Sequence, residues 1–374
     1  MKVLLFSGEA WNLYNYRLPL AKKLRAAGHT VELASGAGPH AEQIEAAGFR
    51  HHVLPITRSG LGLGSELRAL TALVRLYRRV RPDVTHHFTM KGVLYGSTAA
   101  HLAGVRGIVN SITGMGHGFQ QDDWRSRLLW AFLWQWHRWA FRGTHVIFQN
   151  RDDRRLCEEK GVVTPVNGHL ILGSGVDMEA FAPAPEPEEG PPVVLMAARM
   201  LWTKGVATFA EAAHRLGEEE GVEARFALAG EPDEESDRSV PRAQLEAWDR
   251  AGVLEWWGHQ DDMGAALAKS HVFCLPSAHR EGLPRALPEA SACGRPVVTT
   301  DNRGCREAVW PEENGLMVPV NDSAALAAAL RRLVEDGDQR RHMGARGREL
   351  AEEHFSMKRV AEQTMNVYEQ AAAS

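Results

Sequence analysis

The sequence predicts an α/β protein made of two doubly wound domains, each built on a parallel sheet. Three observations lead there. Short apolar runs alternate with amphipathic stretches through roughly the first 150 residues. A second alternating series opens with Val193-Val-Leu-Met-Ala-Ala198, directly after a stretch rich in Pro and Glu at 183–192. Within it, His271-Val-Phe-Cys-Leu275, a helical segment and Pro296-Val-Val-Thr-Thr300 form a βαβ unit, which makes the strands parallel.

The totals agree with two domains. The chain has 374 residues, 44% of them hydrophobic and 24% charged, as in a globular protein. A formal charge of −4 gives no support for a nucleic-acid partner. The apolar start at 1–6 is too short for a signal peptide, and no run of about 18 apolar residues predicts a membrane span. Cys157, Cys274, Cys293 and Cys305 have no CxxC spacing, so they read as thiols in a reducing cytoplasm, with no metal site.

Taken in order, 2–6 reads as a first strand and Ser7-Gly8-Glu9-Ala10 as the loop after it. A helix over 17–27 ends at Gly28, a strand follows at 30–34, and a helix over 40–47 ends at Gly48. A long amphipathic helix spans 66–80, with a strand at 84–88 and a helix of small residues at 96–103. Ligands of such sheets bind at the C-terminal ends of the strands, which singles out the loops 7–17, 89–95 and 113–119. Gly8 allows close approach of the backbone to a ligand, yet a lone glycine falls short of G-x-G-x-x-G and disfavours NAD. Lys91 is a cation at the second loop, suited to an acceptor phosphate or to simple solvation. The third loop, Gly114-Met-Gly-His-Gly-Phe119, sets His117 between glycines, in exposed backbone rather than in a strand pattern like His86 and His87.

The segment 124–142 holds five of the eleven tryptophans. At 100° per residue its apolar side chains fill a broad arc, and Arg127, Gln135, Arg138 and Arg142 share the remaining face. Both a helix at a bilayer interface and a core helix with a basic edge satisfy this pattern. A last strand of the first domain is expected at 145–150. The divisions expected are a first domain over 1–182, a linker over 183–192, a second domain over 193–355 and a final helix, 356–374, packing back on the first domain.

In the second domain Arg199 ends a strand and Lys204 precedes a helix, two cations suited to a diphosphate. Further strands are expected at 225–229 and 253–258, with the loop from His259 after the latter. A helix is expected over 284–293, its start after Gly282 favouring an anion. Glu281 and Glu289 flank that start. At roughly 6 Å and an effective dielectric near 20, each repels a phosphate charge by about 2–3 kcal/mol. They are tolerable if they point past the phosphates and accept hydrogen bonds from hydroxyls on either side. A ligand with hydroxyls, a diphosphate and more hydroxyls is a nucleotide sugar.

The E-x7-E spacing from Glu281 to Glu289, with Glu281-Gly-Leu-Pro284, resembles the retaining glycosyltransferases of family 4, which have the GT-B fold of two Rossmann-like domains facing a cleft. Arg199-x4-Lys204-Gly205 is similar to the segment with which that family holds the donor pyrophosphate. These segments, with Asn15-Tyr-Arg-Leu-Pro19 and His87-Phe-Thr-Met-Lys91, look similar to bacterial α-1,3-N-acetylgalactosaminyltransferases acting on undecaprenyl-diphosphate-linked saccharides. Where the family has a double glycine in the first loop, this chain has Gly8 alone, and Pro288 replaces a helix-friendly residue.

The resemblance implies a metal-independent hexosyltransferase without a cofactor. Its donor would be a UDP-sugar and its acceptor a lipid-linked saccharide at the inner face of the cytoplasmic membrane. It implies Glu281, Arg199, Lys204 and His117 in catalysis, and Gly8, Gly258, His259, Gly282, Leu283, Pro284, Arg285 and Glu289 at the donor. Lys91 and Arg17 are implied at the acceptor. The alternatives are a UDP-N-acetylglucosamine 2-epimerase of the same fold and a non-catalytic nucleotide-sugar-binding partner.

Overall fold

The computed structural model describes residues 1–56, 63–114, 135–234 and 236–373. The chain divides into two compact units, Met1–Gly175 with Met357–Ser374, and Val176–Ser356. No described helix is long and apolar enough to cross a membrane.

The sheet of the first unit comprises β1 (Lys2–Ser7), β2 (Thr30–Gly36), β3 (Arg50–Leu54), β4 (Val84–Phe88), β5 (Gly107–Ile112), β6 (His145–Phe148) and β7 (Gly168–Leu170). The strands are parallel, in the order β3-β2-β1-β4-β5-β6-β7. The apolar run of β1 is continuous rather than alternating because both faces are covered. Val3 and Leu5 pack with residues of the helices Leu18–Ala26 and Met357–Ala373. Leu4 and Phe6 pack with residues of the helices Leu63–Val80 and Met90–Ala103. Burying each of these side chains stabilises the unit by about 1.5–3 kcal/mol.

The helical stretch after β1 starts earlier than the expected residue 17. Ala10–Asn12 is α-helical, Leu13–Arg17 is a π-turn, and Leu18–Ala26 continues. Ala10 and Leu13 are drawn into the core, while Pro19 has no N–H to give, and the widened turn before it accommodates that loss.

The second unit has β8 (Val193–Ala197), β9 (Arg225–Ala229), β10 (Glu255–Gly258), β11 (Val272–Leu275), β12 (Val297–Thr300) and β13 (Gly315–Val318). These are also parallel, in the order β10-β9-β8-β11-β12-β13. Segment 183–192, expected as a linker, lies inside this unit. Its carbonyls are acceptors for a buried guanidinium: Arg295 donates to Ala184 O at 2.8 Å and to Pro185 O at 3.1 Å. Arg340 holds Glu186 through two contacts of 2.9 Å. A sequence too rich in Pro for a helix or strand is thus fixed by side chains from elsewhere, which its composition does not announce.

Of the Trp/Arg segment 124–142, residues 124–134, including Arg127, lie outside the described residues. Residues 135–140 are helical. Trp136 Nε1 donates to Thr98 Oγ1 at 3.1 Å, His137 and Ala140 are buried, and Arg138, Trp139 and Arg142 are exposed. The described part packs one face into the first unit and leaves Trp139 and two arginines exposed.

Each sheet reverses its strand order once, between β1 and β4 and between β8 and β11. Those two crevices are where open parallel sheets hold ligands.

Candidate active site

At the C-terminal edge of the second sheet, the chain leaves β8 through Arg199 and a 3-10 turn, Trp202–Lys204, before the helix Val206–His214. Gly205 has φ +85°, and a Cβ there would lie 2.0 Å from Pro276 O, so only glycine lets this turn reach the end of β11. Ala278 N–H donates to Thr203 O at 3.0 Å and laces the two segments together. Lys204 Nζ is thereby brought into an ion pair with Glu281 Oε1. The side chains are 11% and 21% exposed, and the pair joins the two sides of the β8/β11 crevice.

The loop carrying Glu281 is fixed from behind. Asn302 Nδ2 donates to Ser277 O at 3.1 Å and to His279 O at 3.0 Å. Gly304, at φ +84°, passes so close that a Cβ would lie 2.5 Å from Gly282 O and 2.6 Å from Glu281 O. Gly282, Leu283 and Pro284 are buried, which leaves Glu281 and Arg285 as the half-buried side chains of the loop.

The helix that follows is Ala286–Ala292, shorter than the expected 284–293. Its first bond runs from Glu289 N–H to Arg285 O at 3.1 Å. Pro288 falls in the first turn, where a missing N–H costs little. Glu289 faces inward, 7% exposed, with Arg285 Nε 2.5 Å from its carboxylate. Burial pushes its pKa up to about 7, against the opposing pull of Arg285.

Arg199 is more open, 60% exposed, and its guanidinium lies 2.7 Å from Asp233. Asp233 is held in turn by its own N–H on Ser239 Oγ at 2.9 Å. After β10, His259 N–H donates to Glu231 Oε1 at 3.3 Å, while Glu231 Oε2 lies 2.6 Å from Arg242. Asp233, Glu231, Asn302 and Gly304 were not among the expected site residues. Each acts through a long-range contact that local spacing does not encode; the only signal was their place in loops after strands.

In the first unit, Gly8 O accepts from Gly36 N–H at 3.2 Å. Gly92 sits over this loop, its added Cβ 3.6 Å from Gly8 N. Lys91 is ion-paired with Glu66 at 2.8 Å. Arg17 is buried, its guanidinium 4.3 Å from the Phe88 ring centre, so it enters the site's vicinity as a core residue rather than a surface cation. His86 bonds Tyr368 at 2.6 Å and Ser111 at 2.7 Å, and burial drives its pKa well down. His117 lies outside the described residues.

The second unit therefore gathers Arg199, Lys204 and Arg285, each against a carboxylate, at one end of one sheet. Such an edge can exchange internal carboxylates for the oxygens of a diphosphate and offer Glu281 and Glu289 to hydroxyl donors.

Comparison with known proteins follows this division. Residues 2–151 match the family described as Glycosyl transferase 4-like, and residues 177–350 match Glycosyl transferases group 1. The chain is 25% identical over 350 residues to the N,N'-diacetylbacillosaminyl-diphospho-undecaprenol alpha-1,3-N-acetylgalactosaminyltransferase of Campylobacter jejuni, with 90% of each chain covered. It is 26% identical over 300 residues to the UDP-Gal:alpha-D-GlcNAc-diphosphoundecaprenol alpha-1,3-galactosyltransferase of Escherichia coli, covering 77% of this chain and 75% of that one. Among solved structures, a glycosyltransferase from Rickettsia africae has a TM-score of 0.80 at 15% identity, covering 99% and 98% of the two chains. Anabaena HepE, solved in complex with UDP, has a TM-score of 0.80 at 17% identity, covering 99% and 100%.

Proposed function

The chain belongs to the group 1, 4-like glycosyltransferases and has their GT-B fold, and on that premise we propose that it moves an N-acetylhexosamine, GalNAc or GlcNAc, from a UDP-sugar to a polyprenyl-diphosphate-linked saccharide during cell-surface glycan synthesis. The observation that carries the reading is the Lys204–Glu281 pair across the β8/β11 crevice, with Arg285–Glu289 beside it. The undecaprenyl-diphosphate substrates in the names of the two bacterial relatives support the acceptor class.

In this mechanism Lys204 and Arg199 hold the donor diphosphate. Glu289 accepts from the ribose hydroxyls and Glu281 from the hydroxyls of the transferred sugar, with His117 assigned to the same sugar. When the bond between the anomeric carbon and the phosphate oxygen breaks, negative charge grows on the departing UDP. The two cations therefore stabilise the transition state more than the bound donor. The acceptor hydroxyl attacks the face that UDP leaves and forms the new carbon–oxygen bond. Its proton passes to the departing phosphate, so the configuration is retained and no separate base is required. Gly8, Gly258, His259 and the backbone of 282–284 contribute donor contacts, while Lys91 and Arg17 serve the acceptor side.

The enzyme would work at the cytoplasmic face of the membrane, touching it through the 124–142 segment. Sedimentation with anionic vesicles checks this: binding should weaken when Arg138 and Arg142 are replaced, and absent or unchanged binding argues against it. The reaction itself is tested by screening UDP-sugars with a synthetic polyprenyl-diphosphate saccharide. Lengthening by one sugar is expected, and no transfer with any pair, despite UDP binding, would contradict the assignment.

A further inference from the structure

The segment that follows β9 is laced along the turn that carries Arg199 and Lys204. Met200 N–H donates to Glu231 O at 3.0 Å, Val240 N–H to Met200 O at 2.8 Å and Trp202 N–H to Arg238 O at 2.9 Å. Met200 and Pro232 form a parallel bridge, Leu201 and Ser239 an antiparallel one. The segment opens at Gly230, whose φ is +136° and where a Cβ would lie 1.9 Å from Ala198 O, so only glycine allows the approach. Backbone bonds alone thus fix the turn after β8 against the loop after β9.

From this scaffold one carboxylate reaches Arg199. Asp233 N–H donates to Ser239 Oγ at 2.9 Å, and that hydroxyl donates in turn to Met200 O at 3.4 Å. Asp233 Oδ2 accepts from Arg199 Nη1 at 2.7 Å. The Asp233 side chain is 21% exposed and that of Arg199 60%, so the carboxylate is the fixed partner and the guanidinium the one that is held. An arginine this open would otherwise spread over many rotamers. The contact engages Nη1 and leaves Nε and Nη2 for phosphate oxygens, which a planar fork can grip two at a time. An ion pair this exposed adds little to stability, so its removal leaves the fold in place.

We propose that Asp233 is a positioning residue for the donor diphosphate, holding the guanidinium of Arg199 in place at the C-terminal edge of β8. It acts through Arg199 and does not touch the donor itself. The assignment rests on the donor-site reading above, in which Arg199 and Lys204 grip the diphosphate. Ordering Arg199 in advance removes a cost that UDP binding would otherwise have to meet.

The test is calorimetric titration of the full chain with UDP. It compares wild type with Asp233→Ala, Asp233→Glu, Arg199→Ala and the double variant carrying both alanines. Asp233→Ala should raise the Kd for UDP about tenfold, and Asp233→Glu, which keeps the charge, should recover part of the loss. In the Arg199→Ala background the same change at Asp233 should cost about twofold or less, since no guanidinium remains to be held. In turnover, Asp233→Ala should raise the donor KM and leave the acceptor KM unchanged. Wild-type affinity for UDP in Asp233→Ala overturns the proposal, and so does tighter binding, which would make Asp233 a competitor of the phosphates. A tenfold loss that persists without Arg199 also overturns it, because Asp233 would then act independently of the guanidinium. Failure of the wild type to bind UDP is a separate result: it removes the donor-site reading, and the proposal with it.

Discussion

Lys204 and Glu281 form an ion pair although 77 positions separate them in the chain. The contact joins the turn after β8 to the loop after β11, the two strands between which the second sheet reverses its order. The cation proposed for the diphosphate and the carboxylate proposed for a sugar hydroxyl are thus paired with each other. Around the pair the loop backbones have bonds of their own, Ala278 N–H to Thr203 O and Asn302 Nδ2 to Ser277 O.

In the proposed mechanism each side chain acts on charge or hydroxyls in the transition state, so Lys204→Ala and Glu281→Gln should each lower kcat by about 100- to 1,000-fold. The double variant should lose little more than the worse single one, as expected for residues acting as a unit. Steady-state kinetics checks this, with circular dichroism to show the fold intact. Near wild-type turnover in either single variant would remove the pair from the mechanism.

Glu289 makes a prediction about pH. Burial raises its folded pKa from 4.5 to about 7, so the folded state binds the proton more tightly than the unfolded chain does. The stability it contributes is fully present below pH 4.5 and is lost as pH rises through 7, a difference of about 3 kcal/mol. Urea unfolding of wild type and Glu289→Gln at pH 5 and pH 8 isolates this group. The wild type should lose stability relative to the variant on going to pH 8, and a gap independent of pH would show that Glu289 stays ionised against Arg285.

Gly304→Ala should damage the site from behind. At φ +84° an alanine is strained, and its Cβ would press on the carbonyls of Glu281 and Gly282. The cost is about 1–3 kcal/mol of stability if the backbone holds, or a displaced Glu281 if it yields. Either a lowered unfolding midpoint or a raised donor KM is expected, and a variant normal in both would mean the close approach is not maintained.

Arg295→Leu tests the packing of segment 183–192. Its guanidinium donates to four carbonyls, those of Ala184, Pro185, Leu267 and Ala268. Losing them should destabilise the second unit by on the order of 3 kcal/mol and expose 183–192 to proteases. Proteolysis unchanged from wild type would contradict the packing described for this segment.

Much of the fold was legible because parallel strands covered on both faces write themselves as unbroken apolar runs, as in Val3-Leu-Leu-Phe6. Less legible was whatever depends on distant partners. The Pro- and Glu-rich composition of 183–192 reads as a linker, yet Arg295 and Arg340 hold it in place from about 110 and 154 positions away. Lys204 and Glu281 stood out as charges in loops after apolar strands, and Glu289 as a carboxylate in the first turns of a helix. Their pairing did not, because an ion pair between β8 and β11 depends on strand order and not on spacing. Asp233 and Asn302 carry no motif at all; only the folded loop shows what they hold.

The most direct test of the central claim is the anomeric configuration of the product, read by proton NMR. UDP-N-acetylhexosamine is incubated with a synthetic polyprenyl-diphosphate saccharide and wild-type protein. A new glycosidic linkage with the donor's α configuration, formed only when acceptor is present, is the predicted result. A β-linked product, or a donor sugar epimerised without acceptor, would contradict it.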